Sequence, residues 1–273
     1  MDFIELLKVI FLGIVEGITE WLPISSTGHL LLVDEFLKVN LSKDFMSMFN
    51  VVIQLGAILA VVVLFFKKLW PFSKEEKNFI KKDTFTLWFK IVVACIPGIV
   101  MIPFDSKIED LFFNPQTIAT TLILYGILFI IIENRNAGKQ PKVAKLSDIT
   151  YQMAFMIGLF QILAMIPGTS RSGATIIGAM LFGASRYVAA EFTFFLAIPT
   201  MFGASLLKLL KFGFTFTGAE IVALITGMLT AFIVSIIVIK FLMGYIKKNN
   251  FKVFGWYRIV LGAIVAGYFL LAR

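Results

Sequence analysis

Residues 13–32 read GIVEGITEWLPISSTGHLLL and form a polar interruption in a chain that is otherwise strongly apolar. The segment holds two glutamates, three consecutive hydroxyl side chains and His29, the only histidine of the chain. A charged side chain near the centre of a lipid bilayer costs from roughly 2.5 to more than 10 kcal/mol, so such residues normally face a cavity or a partner. The segment therefore predicts a functional site at membrane depth.

The composition indicates an all-α integral membrane protein. Hydrophobic residues make up 59% of the 273 positions and the mean hydropathy is +0.92, whereas soluble domains are nearer ~45–50% apolar. The first residues, Met1 to Glu5, lack the basic start and the cleavage site of a signal peptide, so we expect no cleaved leader. The net charge of +8 comes from loops between apolar stretches, which favours membrane topology over nucleic acid binding.

Six stretches have a length and hydropathy suited to crossing a bilayer. They are 49–66, 85–102, 116–132, 187–210, 218–241 and 253–271. Two further apolar segments, 4–37 and 151–182, are broken by proline, glycine and hydroxyl residues at 23–28 and 167–173. Non-helical backbone at membrane depth is tolerated only where it is buried in protein or lines a wet cavity. We therefore predict six transmembrane helices and two re-entrant helix hairpins.

The two broken segments resemble each other. Alignment of Gly13 with Gly158 places Glu16 on Gln161, Ser25 on Ser170, Ser26 on Arg171, Thr27 on Ser172 and Gly28 on Gly173. The half-repeats 1–133 and 151–273 then each hold a hairpin and three crossings, and an odd number of crossings inverts the second half in the membrane. Residues 134–150 form a basic linker, and we expect one polytopic domain, 1–273, with its site at the repeat interface.

Loop charges predict the orientation, because short cytoplasmic loops carry the excess of lysine and arginine. One predicted side carries the basic residues Lys67, Lys68, Lys74, Lys77, Lys81, Lys82, Arg135, Lys139, Lys142, Lys145, Lys247, Lys248 and Lys252. The other side carries Lys38, Lys43, Lys107 and Lys211 among Asp34, Glu35, Asp44, Asp105, Glu109 and Asp110. We therefore expect both termini outside, the first hairpin entering from outside, the second entering from the cytoplasm, and their tips meeting within the membrane.

The tips carry groups suited to binding phosphate. Glu16 and Glu20 lie four residues apart, on one helix face, and Pro23 ends that helix. The hydroxyls that follow cap the next helix, whose free backbone amides attract anions. The second tip repeats this arrangement and adds Arg171, whose planar guanidinium matches phosphate oxygens. We predict a phosphate or diphosphate site with contributions from Ser25, Thr27, Gly28, Gln161, Gly168, Thr169, Ser170 and Ser172.

Two carboxylates and a histidine opposite this site suit hydrolysis of a phosphoanhydride. Glu16 and Glu20 can hold a divalent metal ion, and His29 can act as acid or base near neutral pH. Ser26 is either a nucleophile or a phosphate ligand with water attacking, and the sequence leaves both open. A purely structural reading, with the acidic pair bonded to backbone at the helix break, leaves the arginine at membrane depth unexplained.

Other candidate residues are predicted to lie outside the site. Arg186, Lys208 and Lys240 are near span ends, so we expect their side chains to extend to the interface. Arg258 is expected to be an interfacial or interhelical ion without a favoured role in the site. Cys95 lies in an apolar run and is expected to be a buried structural thiol.

The chain resembles the bacterial undecaprenyl-diphosphate phosphatase family, also called bacitracin resistance proteins. The resemblance rests on the motifs EGITE with LPISSTGH at 16–29 and PGTSRSG at 167–173, with support from 51–56 and 257–262. It implies removal of the terminal phosphate of undecaprenyl diphosphate at the outer face of the bacterial inner membrane, which recycles the lipid carrier for peptidoglycan synthesis. The resemblance also implies magnesium or calcium as cofactor, Glu16 and Glu20 as the acidic pair, Ser26 as proposed nucleophile or phosphate ligand, His29 as the family's histidine and Arg171 as the phosphate-binding arginine.

Rival functions remain beside the phosphatase. Inverted repeats with broken helices are also typical of transporters, so a polyprenyl-phosphate flippase that uses the same diphosphate site is the alternative. The other large class of membrane lipid phosphatases uses two histidines, and this chain has only His29, which excludes that class. The sequence leaves a homodimer open as the oligomeric state.

Overall fold

The computed structural model describes residues 1–73 and 79–271, and in this part of the chain the regular structure is helical. The α-helices are α1 Phe3–Thr19, α2 Ser26–Phe36, α3 Lys43–Val52, α4 Gln54–Leu64, α5 Phe66–Leu69, α6 Lys82–Met101, α7 Asp105–Phe112, α8 Pro115–Asn136, α9 Tyr151–Ile162, α10 Arg171–Leu181, α11 Arg186–Phe212, α12 Gly218–Tyr245 and α13 Lys252–Leu271. Several begin at strong capping residues, for example Asn114 before Pro115 in α8 and Thr217 with Glu220 in α12. Of the predicted cytoplasmic lysines, Lys74 and Lys77 lie outside the described residues.

Five helical stretches of the described residues are long and apolar enough to cross a membrane. They are Lys43–Leu64, Lys82–Phe112, Pro115–Asn136, Arg186–Phe212 and Gly218–Tyr245. The stretch predicted as the sixth crossing, 253–271, forms the 20-residue helix α13. Helix α12 exposes an apolar residue at every fourth position: Ile221, Ile225, Leu229, Ile233, Ile237 and Phe241. A stripe of this length is suited to contact with lipid, so the prediction of an all-helical, multi-pass membrane protein is confirmed.

Both broken segments fold as helix hairpins whose two ends lie together. At the open end of the first hairpin, Lys8 Nζ donates to Lys38 O at 2.7 Å, and Glu5 Oε2 accepts from Asn40 N at 2.8 Å. At the open end of the second, the linker that leads into α9 passes the end of α10, where Val143 N donates to Gly183 O at 3.0 Å. Each segment therefore enters and leaves at one end of the molecule.

The two hairpins start from opposite ends of the molecule. The 22-residue stretch Lys43–Leu64 begins beside the open end of the first hairpin and runs to the other end. There Lys68, just after it, forms an ion pair with Glu191 and lies over the ring of Tyr187, 5.9 Å from its centroid. Tyr187 follows the second hairpin closely in the chain, so the open end of that hairpin lies at the same end of the molecule as Lys68. We call this the basic end.

The two halves of the chain are interlocked. The most extensive helix contacts pair α8 with α13, α1 with α12 and α9 with α6, so each hairpin packs on a long helix of the other half. Glycines at aligned positions permit this approach, because a Cβ on Gly13 would lie 2.9 Å from Gly227 O and one on Gly158 would overlap Ala94 O. Gly126 and Gly255 meet in the same way, each placing a Cβ within 2.7 Å of the carbonyl oxygen of the other.

Candidate active site

The first tip is the sharp connection between α1 and α2. Helix α1 ends at Thr19, and Glu20 follows with its amide still bonded to Glu16 O at 3.0 Å. Helix α2 starts at Ser26, where Ser25 caps it with φ 74° and its Oγ accepts from Gly28 N at 3.3 Å. Six residues thus turn the chain back, and the two carboxylates are brought next to the start of α2.

The second tip has the same local geometry. Ser170 caps α10 with φ 71°, and its Oγ accepts from Gly173 N at 3.1 Å. A positive φ costs a non-glycine residue about 1–3 kcal/mol, and among the described residues only Ser25, Phe79 and Ser170 have it. Helices α2 and α10 both have 11 residues. The match between the tips agrees with the alignment that the sequence predicts.

Glu20 joins the two tips through both of its carboxylate oxygens. Oε1 accepts from Arg171 Nη2 at 3.0 Å, and Oε2 accepts from Ser26 Oγ at 2.9 Å. Ser172 Oγ also donates to Glu20 O at 3.1 Å. A second hydrogen bond fixes the Arg171 side chain, since its Nη1 donates to Thr193 O of α11 at 3.1 Å. Glu20, Ser26, Arg171 and Ser172 are therefore in one site, as the sequence predicts.

Glu16 lies one helical turn before Glu20 and is fully buried. Neither of its carboxylate oxygens has a hydrogen-bond partner among the described residues. Its charged neighbours are Arg171 and Glu20, and the Glu20 carboxylate lies close beside its own. Buried carboxylates are normally paired or bound to metal, so this orphaned pair of oxygens fits a cation that the acidic pair would hold.

The acidic pair supplies only part of a metal coordination shell. Among residues 1–73 and 79–271, no group of three or more His, Cys, Asp or Glu side chains is placed to hold a metal ion. Mg²⁺ is usually bound through one or two carboxylates together with water and substrate phosphates. The donor set Glu16 and Glu20 therefore fits a divalent ion whose remaining ligands are water and phosphate oxygens.

His29 lies one turn into α2 and contacts α13. Its Nδ1 lies 2.7 Å from Ser25 O, and its Nε2 lies 2.6 Å from the hydroxyl of Tyr257. A carbonyl only accepts, so Nδ1 carries a proton, and in the neutral ring Nε2 accepts from the Tyr257 hydroxyl. The rings of His29 and Tyr257 also stack, with centroids 5.6 Å apart. The hydrogen bonds of the described residues link His29 to Ser25 and Tyr257, and none links it directly to Glu20 or Arg171.

Arg258 has a different environment from the one predicted. It is fully buried rather than interfacial. Its Nη2 donates to Gly168 O at 2.8 Å and to Thr169 O at 2.9 Å, and its Nη1 donates to Pro23 O at 3.2 Å. One guanidinium thus satisfies backbone carbonyls that both helix breaks leave free. The expectation of an interhelical ion is confirmed. The sequence feature that could have predicted this structural role is the position of an arginine within an apolar span.

The other predicted substrate ligands fall into two groups. Thr27 and Gly28 lie in the first turn of α2, at the tips. Gly168, at φ 85°, and Thr169 lie against α8 and give their carbonyls to Arg258. Gln161 is buried on α9. Its Nε2 lies beside Gly98 of α6, where an added Cβ would be 3.5 Å away. Among the described residues, no hydrogen bond joins Gln161 to Glu20 or Arg171, so its substrate role stays a prediction.

Arg186 has a partly exposed side chain and also forms an ion pair that the sequence does not predict. It forms hydrogen bonds to both carboxylate oxygens of the buried Glu133, with Nε at 2.8 and 3.0 Å from Oε1 and Oε2. Glu133 Oε1 also accepts from Phe251 N at 2.8 Å, so the pair ties the end of α8 to the starts of α11 and α13. Lys240 is exposed, and Cys95 is buried as predicted.

The fold and the site define a polytopic membrane protein with an acidic and cationic site between the tips of two opposed helix hairpins. The chain belongs to the bacitracin resistance protein BacA family, whose family model matches residues 9–264. It is 63% identical to the undecaprenyl-diphosphatase of Acetivibrio thermocellus, over 99% of this chain and 100% of that protein. It is 65% identical to the undecaprenyl-diphosphatase of Desulfitobacterium hafniense, over 98% of each chain. It is likewise 65% identical to that of Enterococcus faecalis, over 97% of each. The resemblance in the motifs is thereby confirmed over the full length.

Proposed function

We propose that this chain hydrolyses undecaprenyl diphosphate to undecaprenyl phosphate and inorganic phosphate. This reaction recycles the lipid carrier for peptidoglycan synthesis and gives resistance to bacitracin. Membership of the family and the names of full-length relatives support it. The observation that carries it is the double role of Glu20, which bonds to Ser26 from one tip and to Arg171 from the other. A hydroxyl next to a base and an arginine is the minimal set for attack on a bound phosphate.

Each residue of the site has a proposed role. Arg171 binds the terminal phosphate and stabilises the charge that develops on its oxygens. The Ser26 hydroxyl, or a water molecule in its place, attacks phosphorus, and Glu20 accepts the proton. The bond between the terminal phosphorus and the bridging oxygen breaks, and undecaprenyl phosphate leaves with the bonding electron pair and takes up the proton from Glu20. Attack by water gives inorganic phosphate directly. Attack by Ser26 gives a phosphoserine, which a water molecule then hydrolyses to inorganic phosphate and the free hydroxyl, with Glu20 again accepting the proton. The hydroxyls and amides at the starts of α2 and α10 bind the remaining diphosphate oxygens.

His29 has an indirect place in this scheme, since Ser25 and Tyr257 hold its ring. Ser25 also caps α2, whose first residue is Ser26. We assign His29 to proton transfer through the Tyr257 hydroxyl or to positioning of the first turn of α2. Its direct attack on phosphorus has no support from a contact with the acidic pair.

A divalent cation, magnesium or calcium, is proposed as the cofactor, with Glu16 and Glu20 as its protein ligands. The support is the buried, unpartnered carboxylate of Glu16. When bound, the ion neutralises phosphate oxygens and lowers repulsion between the substrate and the carboxylates.

The proposed membrane layout has six crossings and two re-entrant hairpins, with α13 as the sixth crossing. The basic end, where Lys68, Arg186 and Lys247 lie, faces the cytoplasm because basic loops stay on that side. Both termini and the opening of the site are then on the outer face of the bacterial inner membrane. The inverted relation between the halves is supported by hairpins that start from opposite ends.

The test is phosphate release from undecaprenyl diphosphate by the purified protein. Arg171→Gln and Glu20→Gln are compared with Lys240→Gln, which changes an exposed charge on α12 outside the site. Loss of one charged transition-state contact typically costs about 10²–10³-fold in rate. We expect losses of that size for the two tip variants and wild-type release for the control, with all three proteins folded. Substrate binding without release by the wild-type protein would contradict the proposal and favour lipid transport through the same site.

A further inference from the structure

A cavity lies at the basic end of the molecule, away from the tips. It has a volume of about 880 Å³ and lies between the linker, the end of α10, the start of α11 and the end of α12. Cavities of this size suit small ligands. Five of its lining residues are cationic: Arg135, Lys139, Lys142, Arg186 and Lys247. No aspartate or glutamate is among the described residues that line it.

The cavity is built by hydrogen bonds that hold the linker against the hairpin. Val143 N donates to Gly183 O at 3.0 Å, and Ser185 N donates back to Val143 O at 2.9 Å. Asn136 Nδ2 donates to Met180 O at 3.3 Å. The stem of Lys142 packs on Gly183, which has φ 93° and where an added Cβ would lie 3.1 Å from the Cβ of Lys142. The linker is therefore fixed as one wall of the cavity.

The charges of the cavity are largely uncompensated. Arg186 is paired with Glu133, but Arg135, Lys139, Lys142 and Lys247 have no ion pair within residues 1–73 and 79–271. The tendency of cytoplasmic loops to be basic accounts for lysines in loops. That tendency does not account for four unpaired cations around one cavity. Basic loop residues need not line a cavity, and Lys81 at the same end of the molecule does not line this one. The cavity therefore attracts an anion.

Part of the cavity lining is apolar. Met180, Leu181 and Phe182 come from the end of α10, and Ile246 follows α12. Phe182 is exposed and Leu181 is half-buried, whereas Met180 and Ile246 are buried in the core. A cavity lined by unpaired cations and by an exposed aromatic ring suits an amphiphile with an anionic headgroup better than a free anion.

We propose that this cavity binds the phosphate headgroup of an anionic membrane phospholipid, on the face opposite to the opening of the active site. The unpaired cations hold the phosphate, and the exposed Phe182 with the half-buried Leu181 contacts the first acyl carbons. This inference goes beyond the proposed phosphatase activity and does not depend on it.

The test measures the thermal unfolding midpoint of the full-length protein in a neutral detergent, followed by tryptophan fluorescence. The titrants are short-chain phosphatidylglycerol, phosphatidylcholine of the same chain length, and inorganic phosphate. Phosphatidylglycerol should raise the midpoint at a concentration about tenfold or more below that needed for either of the others. Equal effects of the two lipids, or of inorganic phosphate alone, would overturn the proposal.

Variants locate the binding. Lys139→Gln/Lys142→Gln should raise the required phosphatidylglycerol concentration about 25-fold, since a basic residue near a membrane surface contributes about a fivefold factor. Arg135→Gln/Lys247→Gln is a second variant, with the same expected weakening, if the first fails to fold. Lys240→Gln and Arg171→Gln should retain the wild-type response. A response lost in Arg171→Gln but kept in both double variants would place the lipid at the tips and contradict the proposal.

Discussion

Arg258 offers a demanding test of how the two tips are held together. Arg258→Lys keeps the positive charge but replaces a fork of donors by one ammonium group. Of the three closest acceptors, Pro23 O belongs to one tip, whereas Gly168 O and Thr169 O belong to the other. An ammonium at one point cannot bridge all three, and each buried carbonyl left unpaired costs about 1–3 kcal/mol. Arg258→Gln loses the charge as well, and we expect a cost of about 3–6 kcal/mol.

The consequence for catalysis follows from the same geometry. If the tips separate by about 1 Å, the rate should fall by about 10²-fold. We expect both variants to fold in detergent, to unfold at lower temperature in the order wild type, Arg258→Lys, Arg258→Gln, and to release phosphate about 10²-fold more slowly. Because the Arg258 guanidinium bonds to backbone carbonyls of the tips and not to the side chains of Glu20, Ser26 or Arg171, the KM for undecaprenyl diphosphate should change much less than kcat.

The assay combines the unfolding midpoint with steady-state phosphate release, and Lys240→Gln serves as the control for a lost charge on an exposed helix surface. The reasoning is wrong if Arg258→Gln unfolds within about 2 °C of wild type and turns over at the wild-type rate. A large rise in KM with unchanged kcat would instead make Arg258 a substrate ligand.

Three further predictions address the site and the helix packing. Magnesium or calcium together with substrate should raise the unfolding midpoint of wild type but not of Glu16→Gln, and an equal rise in both would remove Glu16 from the cation site. Ser26→Ala should lower phosphate release at least about 10²-fold if its hydroxyl attacks, measured beside Thr27→Ala, which should lose less. Gly158→Leu should prevent folding because α9 cannot then approach Ala94 of α6, and a monodisperse, active protein would refute that packing.

The hairpins were predictable because their breaks are local. Proline, glycine and consecutive hydroxyls interrupt an apolar helix whatever surrounds them, and the two interruptions share a pattern that aligns. The meeting of Glu20 with Arg171 followed from the same pattern, since two hairpins of opposite orientation bring their tips to the same depth. These inferences needed only chain order and membrane geometry.

The positions of Arg258, Arg186 and His29 depend on contacts between distant parts of the chain. The partner of His29 is Tyr257, 228 residues away, and the acceptors of Arg258 come from both tips. Which face of α13 points inward is set by its packing on α8, which periodicity in an apolar helix does not reveal. Likewise the pairing of Arg186 depends on Glu133, which is buried at the end of another helix.

The packing of each hairpin on a helix of the other half has a consequence for the synthesis of the protein. Helices α1 and α9 find their packing partners in α12 and α6, so the first hairpin leaves the ribosome long before α12 and Arg171 exist. Until then Glu16 and Glu20 have neither their arginine nor the helix that seals them from lipid. The amino-terminal half therefore inserts as an unfinished intermediate, which waits for the rest of the chain, and expression of residues 1–133 alone should give a product that proteases remove quickly.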